Sequence, residues 1–351
     1  MKWEKKLISA TELREYLEED GGGNSLEEIV AALIDQQRET WPLFRDGIES
    51  FERIETKRVP VDESEVVIQY NPGRIRSTAA AVDKRSVDNR PCFLCPEGLP
   101  EEEKGIAYGS DLVILCNPFP VLDRHLSIVH REHIPQQIAG NVETLLSLAH
   151  DFGSSYFVLY NGPECGASAP DHLHFQACSR ELLPIEENLY DDEPVMAEDC
   201  DYCEETARHS FELFTLGGCG RSVIIFRGGN TAEIAHWVYQ VINELSLQTD
   251  KTEPLLNMIC TYDPKIWTVY LFPRSKHRPS VYFAEGENRL VVSPGAIDIA
   301  GVVVVPERAH YDRIDGEIME AIFSEVSMNG EVVNELVDQV SSLPDPEEAS
   351  W

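Results

Sequence analysis

The run Tyr160-Asn-Gly-Pro-Glu-Cys-Gly-Ala-Ser-Ala-Pro-Asp-His172-Leu-His174-Phe-Gln176 constrains this chain more than any other part of it. Its end alternates polar and apolar residues with period two, which predicts a strand over 172–178. On that strand His172, His174 and Gln176 share one face, and Leu173 and Phe175 share the other. Two imidazoles and an amide then line one surface, with an apolar pair anchoring them from behind. The loop before it, from Gly162 to Pro170, can bring backbone N–H groups and the Ser168 hydroxyl to a phosphate. Imidazole suits attack on phosphorus, because the phosphoramidate formed is reactive enough to be discharged in a second step. A half-buried strand whose polar face meets water is the plain alternative, and the loop weighs against it.

The rest of the chain reads as α+β. Ser25 and Glu28 have capping-box spacing, and Ile29, Leu33, Ile34 and Trp41 follow at helical spacing, so 1–52 is expected to be a helical segment. From about residue 53 strands dominate: Val66–Tyr70 before the turn Asn71-Pro72-Gly73, then Leu112–Leu115, Leu126–Val129 and Tyr156–Tyr160, with a helix from about Pro135 to Ala149. Residues 180–204 are acidic and irregular. Strand Ser222–Phe226, helix Thr231–Leu245 and strands Leu255–Thr261 and Thr268–Phe272 then follow a similar plan, and Gly301–Val305 is a further strand. The expected boundaries are 53–215 for the first half, 216–342 for the second and 343–351 for a disordered tail.

The net charge of −33, from 62 acidic and 29 basic residues, argues against extended contact with nucleic acid or an anionic membrane. No run approaches the ~20 apolar residues of a membrane span, and no signal-peptide pattern follows Met1, so a cytoplasmic location is expected. Nine cysteines, an odd number, fit reduced thiols or a metal site better than a disulfide framework. Cys92/Cys95 and Cys200/Cys203 have C-x-x-C spacing. The first pair can hold one edge of a zinc tetrahedron, and histidines at 125, 130, 133 and 172 offer the remaining ligands. A zinc deaminase is excluded by order, since it needs an upstream His-x-Glu and no histidine precedes His125.

The chain resembles the histidine-triad superfamily in its transferase branch, which includes galactose-1-phosphate uridylyltransferases, diadenosine tetraphosphate phosphorylases and GDP-hexose phosphorylases. The resemblance rests on Gly166-Ala-Ser168 followed by His172-x-His174-x-Gln176. The hydrolase branch carries a third histidine where this chain has Gln176. Pro91-Cys-Phe-Leu-Cys95-Pro and Asn117-Pro-Phe-Pro120 extend the likeness to a bacterial group of the superfamily, strongly over about a third of the chain. Ser168 lies four residues before His172, one more than in the uridylyltransferases. The resemblance implies two histidine-triad-like halves, each an antiparallel sheet with packed helices, behind the N-terminal helical segment.

The resemblance further implies His174 as the nucleophile that forms a nucleotidyl-histidine. Gln176 would hold the phosphoryl oxygens, and Asn161, Gly166 and Ser168 would make further contacts. It also implies a structural zinc on Cys92, Cys95, His133 and His172. The implied ligands are a nucleotide substrate and a phosphate or sugar-phosphate acceptor, and a homodimer is possible. Arg274-Ser-Lys276-His-Arg278 is the densest basic cluster, and Arg274, Lys276 and Arg278 are read as a phosphate clamp, with Arg74 and Arg76 as weaker candidates. The alternatives from other classes are a nucleotide-binding sensor without turnover and a zinc-stabilised interaction protein.

Overall fold

The computed structural model describes residues 2–17, 25–75, 84–180, 183–191, 211–249, 251 and 253–344. Arg76, Cys200, Cys203, the Gly21–Gly23 run and the tail from 345 onward lie outside those residues.

Near the N-terminus the local rules act as expected. Ser25 and Glu28 form a reciprocal capping box on α1 (Leu26–Thr40), a device that contributes ~1 kcal/mol. Pro42, whose missing N–H costs nothing in a first turn, opens α2 (Pro42–Phe51). Val30, Leu33, Trp41 and Phe44 are buried in one core with the face of the main sheet.

That sheet has nine strands in the order β3-β4-β5-β7-β6-β10-β11-β9-β8. They are β3 (Gly105–Tyr108), β4 (Leu112–Cys116), β5 (Leu126–His130), β6 (Tyr156–Asn161), β7 (His174–Ser179), β8 (Glu212–Leu216), β9 (Val223–Gly228), β10 (Leu256–Asp263) and β11 (Ile266–Pro273). Helix α3 (Val142–Phe152) stands between β5 and β6, where the expected helix began earlier. Helix α5 (Thr231–Thr249) stands between β9 and β10; the shorter α4 (Pro184–Asp191) follows β7. Each half thus contributes a hairpin, a helix and a second hairpin, and the order β4-β5-β7-β6 is mirrored as β10-β11-β9-β8. The repeat expected in the second half is present as topology.

Three details depart from the sequence reading. The halves do not form separate sheets: β6 and β10 pair antiparallel from Phe157 opposite Thr261 to Asn161 opposite Asn257, so one ladder crosses the molecule. The boundary at 215/216 falls inside β8, a strand whose Leu213 and Phe214 lie next to a segment read as irregular. The strand expected at 301–305, β12 (Val302–Val305), leaves its own half and pairs parallel with β2 (Ser64–Tyr70), beside β1 (Glu55–Val61), in a three-stranded sheet. Four consecutive buried valines suit a strand covered on both faces rather than an alternating edge.

The nine-stranded sheet therefore separates two cores. One holds α1, α3 and α5 with Leu173 and Phe175 of the histidine segment. The other holds the small sheet, α6 (Ala296–Ile299), and Met319, Ile322 and Phe323 of α7 (Gly316–Val326). A last helix, α8 (Gly330–Ser341), returns its Val333 and Leu336 to the first core.

Ile259 is fully buried on β10 and faces Leu159 of β6 on one side and Tyr270 of β11 on the other. Ile259→Ala should cost ~2–5 kcal/mol. Urea unfolding followed by far- and near-UV circular dichroism should show one cooperative transition moved to lower denaturant; two separated transitions would mean that the halves fold independently.

Candidate active site

Strand β7 turns His174 and Gln176 away from the helical core, as its alternation requires. His174 is 5 % exposed, and its Nδ1–H donates to the backbone carbonyl of His172 at 2.8 Å. That bond places the ring proton on Nδ1 and leaves the Nε2 lone pair, which has no hydrogen bond to any described residue. Burial lowers the pKa of His174 to about 4, so the ring is neutral around pH 7. Gln136, buried between the strand ends, accepts from the His174 N–H and donates to the carbonyls of His174 and Asn161. It replaces the ladder bonds that β6 and β7 would otherwise lack there.

His125, held in reserve as a metal ligand by the sequence reading, has another task. Its Nδ1 accepts from the Val121 N–H at 3.2 Å, and burial with the nearby Arg74 charge lowers its pKa to about 3. The neutral ring therefore carries its proton on Nε2 and donates it to Gln176 Oε1 at 2.6 Å. With Oε1 occupied in this way, the Gln176 amide N–H2 is the end left for a ligand. Asn161 is fixed by the same logic. Its Oδ1 accepts from Asn257 Nδ2 at 2.8 Å and from the Ala296 N–H at 2.7 Å, which again leaves the N–H2.

Asn161 and Gln176 line a narrow cleft of ≈ 70 Å³ together with Gly166, Ser168, Arg74, His277, Arg278 and Ser293. At about 10–15 Å³ per water this is room for one phosphoryl group rather than a whole nucleotide. Gly166 has φ +102°, and a Cβ there would meet Gly295 Cα at 2.8 Å, so the loop touches the opposite wall through two residues without side chains. The N–H groups of Gly166 and Ser168 bond to no described acceptor, and Arg90 holds the Ser168 carbonyl at 2.7 Å. Arg74 donates one N–H to the Phe119 carbonyl at 2.7 Å and has no carboxylate within salt-bridge distance among the described residues. Asp298 also lines the cleft, with both oxygens accepting backbone N–H groups, of Gly295 and Val304. Burial raises its pKa to about 6. Beside Asp298 and the apolar Val121, Ile297 and Val304, the lining carries the donors of Arg74, Arg278, Asn161 and Gln176, which favour an anion.

The basic cluster divides. Arg278 reaches the cleft, where its Nε donates to Ser293 Oγ at 2.8 Å. Arg274 is 1 % exposed, and its five N–H donors go to Asn257 Oδ1 and the carbonyls of Val326, Pro294, Lys276 and His277. It has no donor left for a phosphate and is a correction to the clamp reading; it braces Asn257, which in turn orients Asn161. Lys276 pairs with Glu325 at 2.9 Å and is not part of the cleft wall, a second correction. Arg274→Ala should cost ~3 kcal/mol or more, since five acceptors lose a buried partner. Lys276→Ala should stay within ~1 kcal/mol. Urea midpoints of the two variants measure both.

Beside the cleft Cys92, Cys95, His133 and His172 bring four potential ligand atoms within 4.8 Å of one another. The sulfur–nitrogen separations are 3.3 Å for Cys92–His172, 3.3 Å for Cys95–His133 and 3.6 Å for Cys95–His172. A tetrahedral site with sulfur and nitrogen ligands has edges of roughly 3.4–3.8 Å, so the cluster has the geometry to hold a metal. His172 donates from Nε2 to the His130 carbonyl at 2.7 Å, which leaves Nδ1 for the cluster. Asp171 stands 3.4 Å from His133 Nε2 and can orient that ring likewise. His130 offers its carbonyl rather than its ring to this arrangement.

Comparison with known proteins agrees with this architecture. A domain of unknown function (DUF4922) matches residues 33–179. No curated protein sequence matches the chain. Among solved structures, yeast Ap4A phosphorylase Apa2 in complex with AMP is similar with a TM-score of 0.53 and 15% identity, over 84% of this chain and 96% of that one. The same yeast protein in complex with Ap4A gives 0.52 and 14%, over 84% and 97%. An ADP-glucose phosphorylase from Arabidopsis thaliana gives a TM-score of 0.37 and 14% identity, over 83% and 99%. The chain is α+β and shares the fold of the yeast Ap4A phosphorylase.

Proposed function

We propose that the protein is a nucleotidyltransferase or phosphorylase that acts on a nucleoside diphosphate-linked substrate, a nucleotide sugar or a dinucleoside polyphosphate, through a nucleotidyl-His174 intermediate. The observation that carries this reading is His174 Nε2, which bonds to no described residue and belongs to the strand face shared with Gln176. Gln176 lines a cleft sized for a phosphoryl group, and His174 stands behind that lining rather than in it. Likeness in fold to a yeast phosphorylase seen with AMP and with Ap4A supports a nucleotide as the ligand.

In the first step His174 Nε2 attacks the α-phosphorus, and the bond to the distal phosphate oxygen breaks. The N–H2 groups of Gln176 and Asn161 and the N–H groups of Gly166 and Ser168 hold the non-bridging oxygens as charge builds on them. Arg74 offsets the charge of the polyphosphate. Phosphate or a sugar phosphate then attacks the intermediate and restores His174. Zinc suits the thiolate and imidazole set, and when bound it supplies a structural tie between the Cys92–Cys95 loop and the strand. His172 joins the two, because its ring belongs to the cluster while its carbonyl orients His174.

Incubation with α-labelled UDP-, GDP- and ADP-sugars and with labelled Ap4A, followed by a denaturing quench, should leave acid-labile label on His174. Persistence of that label in His174→Ala would overturn the assignment. Gln176→Ala should lower kcat by about 10²–10³-fold, the effect of losing one donor to a developing charge. His125→Phe, which frees the Gln176 amide to turn over, should lower kcat by about tenfold with KM nearly unchanged, because the contact matters most in the transition state. Elemental analysis should find one zinc per chain, and Cys92→Ser should lower both zinc content and thermal stability; full stability without metal would remove its structural role.

A further inference from the structure

The cleft shared by Gln176 and Ser168 is also lined by an imidazole, His277, to which nucleotidyl transfer as described gives no part. Ser293 Oγ accepts from Arg278 Nε at 2.8 Å, and its own hydroxyl proton can point at His277 Nε2, 3.4 Å away. With Nε2 as acceptor, the ring proton sits on Nδ1, which bonds to no described residue. Two charges reach the ring, those of Arg278 and Arg274, and both are positive. The other ionisable groups around it are accounted for. Asp298 is capped by two N–H groups, His125 is neutral, Arg74 is a further cation, Tyr282 lies under Arg278, and Glu325 is engaged with Lys276 and Ser280. Burial and the two guanidinium groups push the His277 pKa down to about 4, so the ring is neutral near pH 7. A phosphate in this cleft would set its negative charge against the same guanidinium groups, cancel their effect on the ring and raise its proton affinity.

We propose that His277 takes up a proton at Nε2 as a phosphorylated ligand enters the cleft, the Ser293 hydroxyl turning from donor to acceptor, and that the Nδ1 proton is then delivered to the departing phosphate oxygen. As the bond from His174 Nε2 to phosphorus forms and the P–O bond breaks, the electron pair stays on the leaving oxygen and the His277 proton follows it. In the return step the neutral imidazole takes a proton from the acceptor oxygen. This role rests on nucleotidyl transfer at His174. It also gives Ser293 a purpose, since its hydroxyl fixes which nitrogen of His277 faces the ligand.

Two measurements test it on the full chain. Histidine-¹³C NMR of the wild-type protein, with and without ADP, should show one ring whose proton affinity rises at least about tenfold on binding. That signal should be missing from His277→Gln or, should that variant fold poorly, from His277→Asn. An unmoved midpoint overturns the proposal. Turnover of Ap4A by His277→Gln near pH 7 should fall about 10²-fold, the usual contribution of a general acid. Release of p-nitrophenolate from the p-nitrophenyl ester of AMP, a leaving group that needs no proton, should stay within about threefold of wild type. Equal losses on both substrates would reduce His277 to a wall residue. Absence of label on His174 in the wild-type enzyme would instead defeat the transfer reading itself, so the two failures are distinct.

Discussion

A single hydrogen bond, from His174 Nδ1 to the carbonyl of His172 two residues before it, decides what this site can do. It chooses the tautomer, and with it which nitrogen offers a lone pair. The same residue supplies the ring that completes the Cys92–Cys95–His133 cluster. Orientation of His174 thus depends on whatever fixes the backbone of residue 172. The His172 N–H donates to the Ala169 carbonyl at 3.2 Å, the Leu173 N–H donates to the Ile134 carbonyl at 2.8 Å, and the cluster takes the His172 ring. Asn161 and Gln176 follow the same pattern, each turned by a buried neighbour, Asn257 in one case and His125 in the other. The two amides that face the cleft are each set by a buried hydrogen-bond partner, which fixes their geometry before any ligand arrives.

The balance of charge follows from this arrangement rather than from composition. A chain of net charge −33 repels anions at long range, although salt screens such repulsion beyond about 8–10 Å. Inside the cleft the order is reversed, with amide, backbone and guanidinium donors turned inward. Recognition of an anion as proposed here would therefore be a short-range matter of hydrogen-bond geometry. Rates of encounter would owe little to electrostatic steering.

What could be read from the sequence was whatever is written in local spacing. The alternation of 172–176 places His174 and Gln176 on one face; the C-x-x-C pair meets His133 and His172, a choice among four histidines that the resemblance implied and spacing alone left open. The residues that orient the site were not legible in that way. Gln136 and His125 stand 38 and 51 positions from their partners in β7, and Asn257 stands 96 from Asn161. His125 was visible as a histidine, but its assignment needs the pairing of β5 with β7. Arg274 misled because a run of basic residues looks alike whether its members face solvent, a ligand or, as here, five acceptors in the interior. Similarly, four valines in a row announce a buried strand without saying which sheet receives it.

The uninterrupted ladder across β6 and β10 has a mechanical consequence. Proteins that grip a ligand between two lobes usually do so by swinging them about a flexible joint. Here the lobes share main-chain hydrogen bonds from Phe157 to Asn161 of β6, and the loop at Gly166 already rests against Gly295. Hinge motion across that ladder would have to break those bonds. Entry and exit are left to rearrangements of short loops and side chains around the mouth of the cleft, such as the segment after β11 that carries His277 and Arg278.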